Sequence, residues 1–121
     1  MHDSFQDTLD LVLKASNEGI WDWNVGEDSI YYSDRVCQFL GCKKENAPNI
    51  LKNPESVLVP EDAAYLKNIL ELALMDEEEE LFAIDCRVMR PTGKIVWLRV
   101  RGVVVREDGE AVRLVGSMID I

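Results

Sequence analysis

Apolar positions recur every three or four residues near the N-terminus and again after residue 60, and every second residue elsewhere. Phe5, Leu9, Val12 and Leu13 share one face of a predicted helix over about residues 5–15, with Leu11 off that face. Ser4 stands at its cap position with Asp7 three residues on, and Asn17 and Gly19 end it. In GIWDWNV (19–25), Trp21, Trp23 and Val25 share one parity while Asp22 and Asn24 share the other, the alternation of a strand. GEDS at 26–29 reads as a turn and IYY as the start of a second strand, so 19–32 forms a hairpin. Ser33 caps a short helix that turns Val36, Phe39 and Leu40 inward and stops at Gly41.

Pro48, Asn49, Asn53 and Pro54 break up 42–59. Pro60 suits the first turn of a helix, where Glu61 and Asp62 complement the dipole. Ala63, Leu66, Ile69, Leu70, Ala73 and Leu74 make its apolar stripe, which stops near Asp76. Beyond the acidic stretch the period becomes two. Phe82, Ile84, Cys86 and Val88 alternate with Ala83, Asp85, Arg87 and Met89. RPTGK (90–94) and REDGE (106–110) punctuate two further strands, over 95–105 and 111–121. Three strands on short loops make an antiparallel meander, and the whole order predicts an α+β domain with helices gathered on one side of five strands.

The chain of 121 residues is one domain's worth, 47% hydrophobic and 30% charged, enough to build a core without disulfides or a structural metal. Its net charge of −10 argues against nucleic acid as a partner, because phosphate backbones would be repelled. Five of the carboxylates lie in DEEEE at 76–80, which lacks the alternating spacing of a calcium loop and reads as a solvated connection. No apolar run approaches the roughly 20 residues of a bilayer span, and no basic-then-apolar leader opens the chain. Cys37, Cys42 and Cys86 are odd in number and have no histidine beside them to complete a zinc site. They read as reduced, mostly buried thiols of a cytoplasmic domain.

Several motifs in sequence order resemble the PAS sensor domains, and more narrowly the branch whose second half is the PAC motif. GIWDWNV resembles that branch's first strand, and YYSDRVCQFLGC its second strand running into a Ser-capped helix. LVPEDAAYL is similar to its His-Pro-Glu-Asp helix start, with Val59 in place of the usual histidine. IDCRVMRPTGKIVWLRVRGVVVREDGEAVRLVGSMIDI resembles the complete three-strand PAC segment. The resemblance covers roughly residues 15–121 and implies a five-stranded antiparallel sheet with small helices closing a pocket against one face. It divides the chain into a flanking helix, 1–16, and a sensor domain, 17–121.

The resemblance further implies an excised module. In the family the last strand ends Asp-Ile-Thr and continues into a signalling helix, which would leave Asp120 and Ile121 at the signal exit. The expected downstream partner is a diguanylate cyclase (GGDEF) or histidine kinase domain on the same chain, whose parent could be membrane-attached although this segment inserts in no membrane. The family's flanking helix packs on the outer sheet face and supports homodimers. Phe5, Leu9, Val12, Leu13 and Trp97 are therefore the dimer-contact candidates, Trp97 lying opposite Val96 and Leu98 in parity.

PAS domains hold haem, flavin, a small metabolite or nothing. Haem is not expected: the helix PEDAAYLKNILELALMD has no histidine, the only one is His2, and no C-x-x-C-H occurs. Met75 and Cys86 read as core residues. Flavin is not expected either, because RVCQFLGC lacks the asparagine and arginine that flank the photosensors' cysteine. Catalysis within the domain lacks a histidine base, a phosphate loop or facing carboxylates. Trp23, Phe39, Leu40, Leu58, Ile69, Leu70, Ile84, Cys86, Leu98, Val100, Leu114 and Met118 line the space between helices and sheet, and either fill it or leave room for a small molecule. Tyr31, Tyr32 and Ser117 are the candidate polar groups there, with Asn24 turned outward by parity.

Overall fold

The structure is a computed structural model that describes residues 4–75 and 81–121, with side chains from residue 7 onward. The DEEEE run and the Phe5 side chain therefore lie outside the described residues. Helix α1 (Ser4–Ser16) precedes a hairpin of β1 (Gly19–Asn24) and β2 (Ser29–Tyr32). Helix α2 (Asp34–Leu40), two short 3-10 turns (Lys44–Asn46 and Pro54–Ser56) and helix α3 (Pro60–Met75) follow. Strands β3 (Leu81–Met89), β4 (Ile95–Glu107) and β5 (Glu110–Asp120) complete the chain. No described helix is long and apolar enough to cross a membrane.

All pairings are antiparallel, in the order β2-β1-β5-β4-β3. The last strand is thus the middle one. Alternation decides the faces: Ile84, Cys86 and Val88 of β3, Leu98 and Val100 of β4, and Leu114 and Met118 of β5 are buried against α2, α3 and the connection between them. The other parity faces away. The turn after β4 is tighter than the sequence suggests, because Asp108 (φ 50°) and Gly109 (φ 83°) alone reverse the chain in the left-handed pair that suits a two-residue hairpin. β4 accordingly runs two residues past its expected end.

Ser33 occupies the cap position of α2 but makes no side-chain bond to that helix. Its hydroxyl instead accepts the Ile20 N–H at 2.9 Å, while its own N–H donates to the Ile20 carbonyl at 2.9 Å. The hairpin and helix are pinned together by one residue. The free edge of β3 is also covered, since Val59 N–H donates to Arg87 O (3.1 Å) and Met89 N–H to Val57 O (2.8 Å).

Candidate functional site

The layer between helices and sheet gathers most of the residues expected to line it. Trp23, Phe39, Leu40, Leu58, Leu70, Ile84, Cys86, Leu98, Val100, Leu114 and Met118 are all buried there, and Ile69 is partly buried against them. Burial pushes the Cys86 thiol up to about 12. Tyr32 is equally buried; its hydroxyl donates to the Pro48 carbonyl at 2.6 Å and accepts the Ile50 N–H at 3.0 Å. That phenol therefore ties the irregular segment to β2, and burial drives its pKa far above the usual value. The indole N–H of Trp23 is buried with no partner among the described residues.

Three expectations are corrected. Tyr31 is 55% exposed, because adjacent residues of a strand face opposite ways and Tyr32 takes the inner side; the Lys44 ammonium lies 5.4 Å from its ring centre. Ser117 falls between the inward Gly116 and Met118, so its side chain lies on the outer face, while its carbonyl accepts the Trp21 Nε1–H at 3.1 Å. Met75 ends α3 at 81% exposure rather than in the core.

A row of residues that sequence alone does not single out closes one end of this layer. Trp21, Gly116, Gly102 and Phe82 stand side by side on β1, β5, β4 and β3. The two glycines leave a trough that the flanking aromatics bridge, their ring centroids 6.0 Å apart. A Cβ on Gly102 would lie 2.6 Å from Phe82 Cζ and 2.8 Å from Trp21 Cη2. The signal available in sequence was two glycines of inward parity in strands otherwise built from branched residues.

The outer face carries paired charge and exposed apolar surface. Arg99 binds Asp85 (2.8 Å) and Arg113 binds Asp22 (2.8 Å). Asp62, at the start of α3, receives the Arg87 backbone N–H (2.7 Å) and two guanidinium bonds (3.0 and 2.9 Å), which hold its carboxyl below the usual range. The same guanidinium lies 5.4 Å from the ring centre of Trp97, which stays 48% exposed. Further along the same face, a hollow of about 450 Å³ is lined by Ile20, Leu81, Ala83, Val103 and Val115. On α1, Leu9 and Val12 are exposed and Leu13 is partly buried, so Leu9, Val12 and Trp97 all stay open to solvent. At the end of β5, Asp120 pairs with Leu98 and is exposed, and Ile121 N–H donates to Trp97 O at 3.2 Å.

A cleft of about 880 Å³ lies beside the end of α2, lined by Cys37, Leu40, Cys42, Lys44, Pro48, Val57, Met89 and Pro91 among others. Arg90, just beyond β3, donates to the Phe39 and Gln38 carbonyls (3.1 and 3.3 Å), so the last turn of α2 is held by the meander. Among the described residues no three His, Cys, Asp or Glu side chains converge as a metal site would need.

A family model described as the PAS fold matches residues 29–118. Among solved structures, a sensory box histidine kinase/response regulator from Burkholderia thailandensis superposes with a TM-score of 0.77 at 24% identity, over 93% of this chain and 83% of that one. The N-terminal domain of a diguanylate cyclase with PAS/PAC sensor from Marinobacter aquaeolei gives 0.73 at 24% identity, over 85% and 94%. A PAS domain from Colwellia psychrerythraea gives 0.71 at 18% identity, over 98% of both. No curated protein matches the chain.

Proposed function

Because the chain belongs to the PAS fold family, we propose that it is a sensory relay module, passing a change in bound small molecule or in packing to an effector domain beyond Ile121. A diguanylate cyclase or histidine kinase is the effector class, as in the two proteins whose domains it resembles. The observation that carries this reading is the position of β5, paired on one side with β1 and on the other with β4. A displacement in either half of the sheet therefore reaches Ile121. A tenfold change in effector output needs only about 1.4 kcal/mol of difference between two arrangements. The domain itself is non-catalytic and cytoplasmic, needs no haem or flavin, and engages neither nucleic acid nor the membrane interior.

The reading includes a homodimer in which α1, through Leu9 and Val12, and the outer face around Trp97 are covered by a second copy. Exposed apolar side chains on both surfaces support it. A second reading, a dimerisation scaffold that senses nothing, draws on the Trp21–Phe82 pair, which fills one end of the inner layer.

A diguanylate cyclase domain fused after Ile121 separates the two. In the relay, Leu114→Ala and Met118→Ala alter cyclase rate while the fusion stays folded and dimeric. Unchanged rates in both variants would leave only the scaffold. Light scattering on Val12→Asp tests the dimer, which should dissociate; a wild-type chain that is already monomeric would sink that part. Native mass spectrometry asks directly whether a small molecule is retained.

A further inference from the structure

The five-residue interval between Cys37 and Cys42 is the interval of a helix-ending turn. Gly41 adopts the left-handed conformation (φ 71°) and its N–H donates to the Gln38 carbonyl at 3.2 Å. Cys42 N–H then donates to the Cys37 carbonyl at 3.1 Å. These two bonds define the Schellman ending, which commonly brings together the side chains of the residue three in from the helix end and the residue two past it. Here both are cysteines. A bond between the backbones of the two residues keeps their Cα atoms close to the window of roughly 4.4–6.8 Å in which a disulfide closes. Both residues line the same open cleft of about 880 Å³, so a small reagent reaches them from one side. Cys86, by contrast, sits on β3 with no exposed surface.

We propose that Cys37 and Cys42 are a reversible dithiol–disulfide pair oxidised by small hydroperoxides that enter this cleft. Cys42 is the more exposed of the two and reacts first. Its thiolate sulfur attacks a peroxide oxygen and the O–O bond breaks. The departing alkoxide or hydroxide takes a proton from solvent, and the sulfur becomes a sulfenic acid. The Cys37 sulfur then attacks the Cys42 sulfur, forming the S–S bond and expelling hydroxide, which leaves as water with the Cys37 proton. Two thiols and one hydroperoxide yield one disulfide, one water and one alcohol (or a second water); a dithiol reductant reverses the bridge. Burial raises both thiols above their usual range; at Cys37, the resolving residue, the Lys44 ammonium works against that while the Asp34 and Glu45 carboxylates add to it.

The bridge would fix the turn whose neighbouring carbonyls, Gln38 and Phe39, are held by Arg90. An input at the cleft thereby reaches the β3–β4 hairpin. That consequence rests on the relay reading; the dithiol chemistry does not.

The test is intact and peptide mass spectrometry of the full chain after tert-butyl hydroperoxide, denaturation and alkylation. The expected result is a peptide holding Cys37 and Cys42 that is lighter by two hydrogens and takes up no alkylating label. Cys86 stays labelled, and a dithiol restores both labels. Cys37→Ser should lose the bridge and leave Cys42 as a sulfenic acid captured by dimedone, and Cys42→Ser should lose the bridge as well. Separate oxidation of the two sulfurs, a bridge between two chains, or equal reaction at Cys86 would overturn the proposal. In the cyclase fusion, a bridge that forms without changing output counts against the relay alone. Output that answers to Leu114→Ala while no bridge forms counts against the dithiol pair alone.

Discussion

Replacing Gly102 by alanine tests whether the aromatic bridge closes the inner layer. The new methyl group would stand 2.6 Å from Phe82 Cζ and 2.8 Å from Trp21 Cη2, with Phe82 Cε1 closer still. Carbon atoms rest at about 3.5–4.0 Å, so two packed rings must retreat by about 1 Å. Overpacking of this kind costs about 1–3 kcal/mol. Stiffening the unfolded chain by removing a glycine returns about 0.4–1 kcal/mol. The net expectation is a loss of about 1–2 kcal/mol, or about 1 M in the urea midpoint with the slope unchanged. Leucine at position 82 has no atoms where Cζ and Cε1 stand, so in a Phe82→Leu background only the Trp21 Cη2 contact remains and the same alanine should cost about half as much. Urea melts of the four proteins, followed by circular dichroism, give the coupling between the two sites. An equal midpoint loss in both backgrounds, or none in either, would show that the rings do not fill the trough over the glycines.

Other expectations follow from single contacts. Asp62→Asn should lower stability by about 1 kcal/mol at neutral pH, given its partial exposure. Arg87 depresses the folded carboxyl below its ordinary value of 3.8, so the wild-type advantage is complete above that pH and fades as pH falls through the lower, folded value. Thermal melts between neutral and strongly acid pH will show whether the two proteins converge. Tyr32→Phe removes the partner of the buried Ile50 N–H and should cost about 1–3 kcal/mol, read by denaturant titration; a neutral result would mean that water replaces the phenol. Ser33→Ala breaks the Ile20 contact and should cost about 1 kcal/mol, with faster amide exchange at Ile20 as its local signature.

Much of the fold was legible because local rules and burial agree. Alternation along Phe82–Val88 selects the buried face of β3, and Pro60 with its acidic neighbours marks the start of α3. What was not legible depends on partners far away in sequence. Nothing within GSMIDI shows that it lies between β1 and β4 rather than at an edge. The trough over Gly102 and Gly116 exists only once four strands are in register. Tyr31 was misplaced for a different reason: two adjacent tyrosines cannot both face inward on a flat strand, and the bonds to Pro48 and Ile50 determine which one does. Cys37 and Cys42 read only as buried thiols, because the turn that brings their backbones together depends on the left-handed conformation of Gly41 and the bonds that follow it.

The central place of β5 also governs how the molecule is made. Gly19 finds its partner in Met118, nearly a full chain length away. During synthesis β1 therefore lacks its second strand neighbour until the last strand has left the ribosome. Up to that moment Trp21 and Trp23 are covered only by what precedes β5. Contacts of such long range slow the search for the native state, and a nascent chain of this design has reason to meet a chaperone before it meets itself.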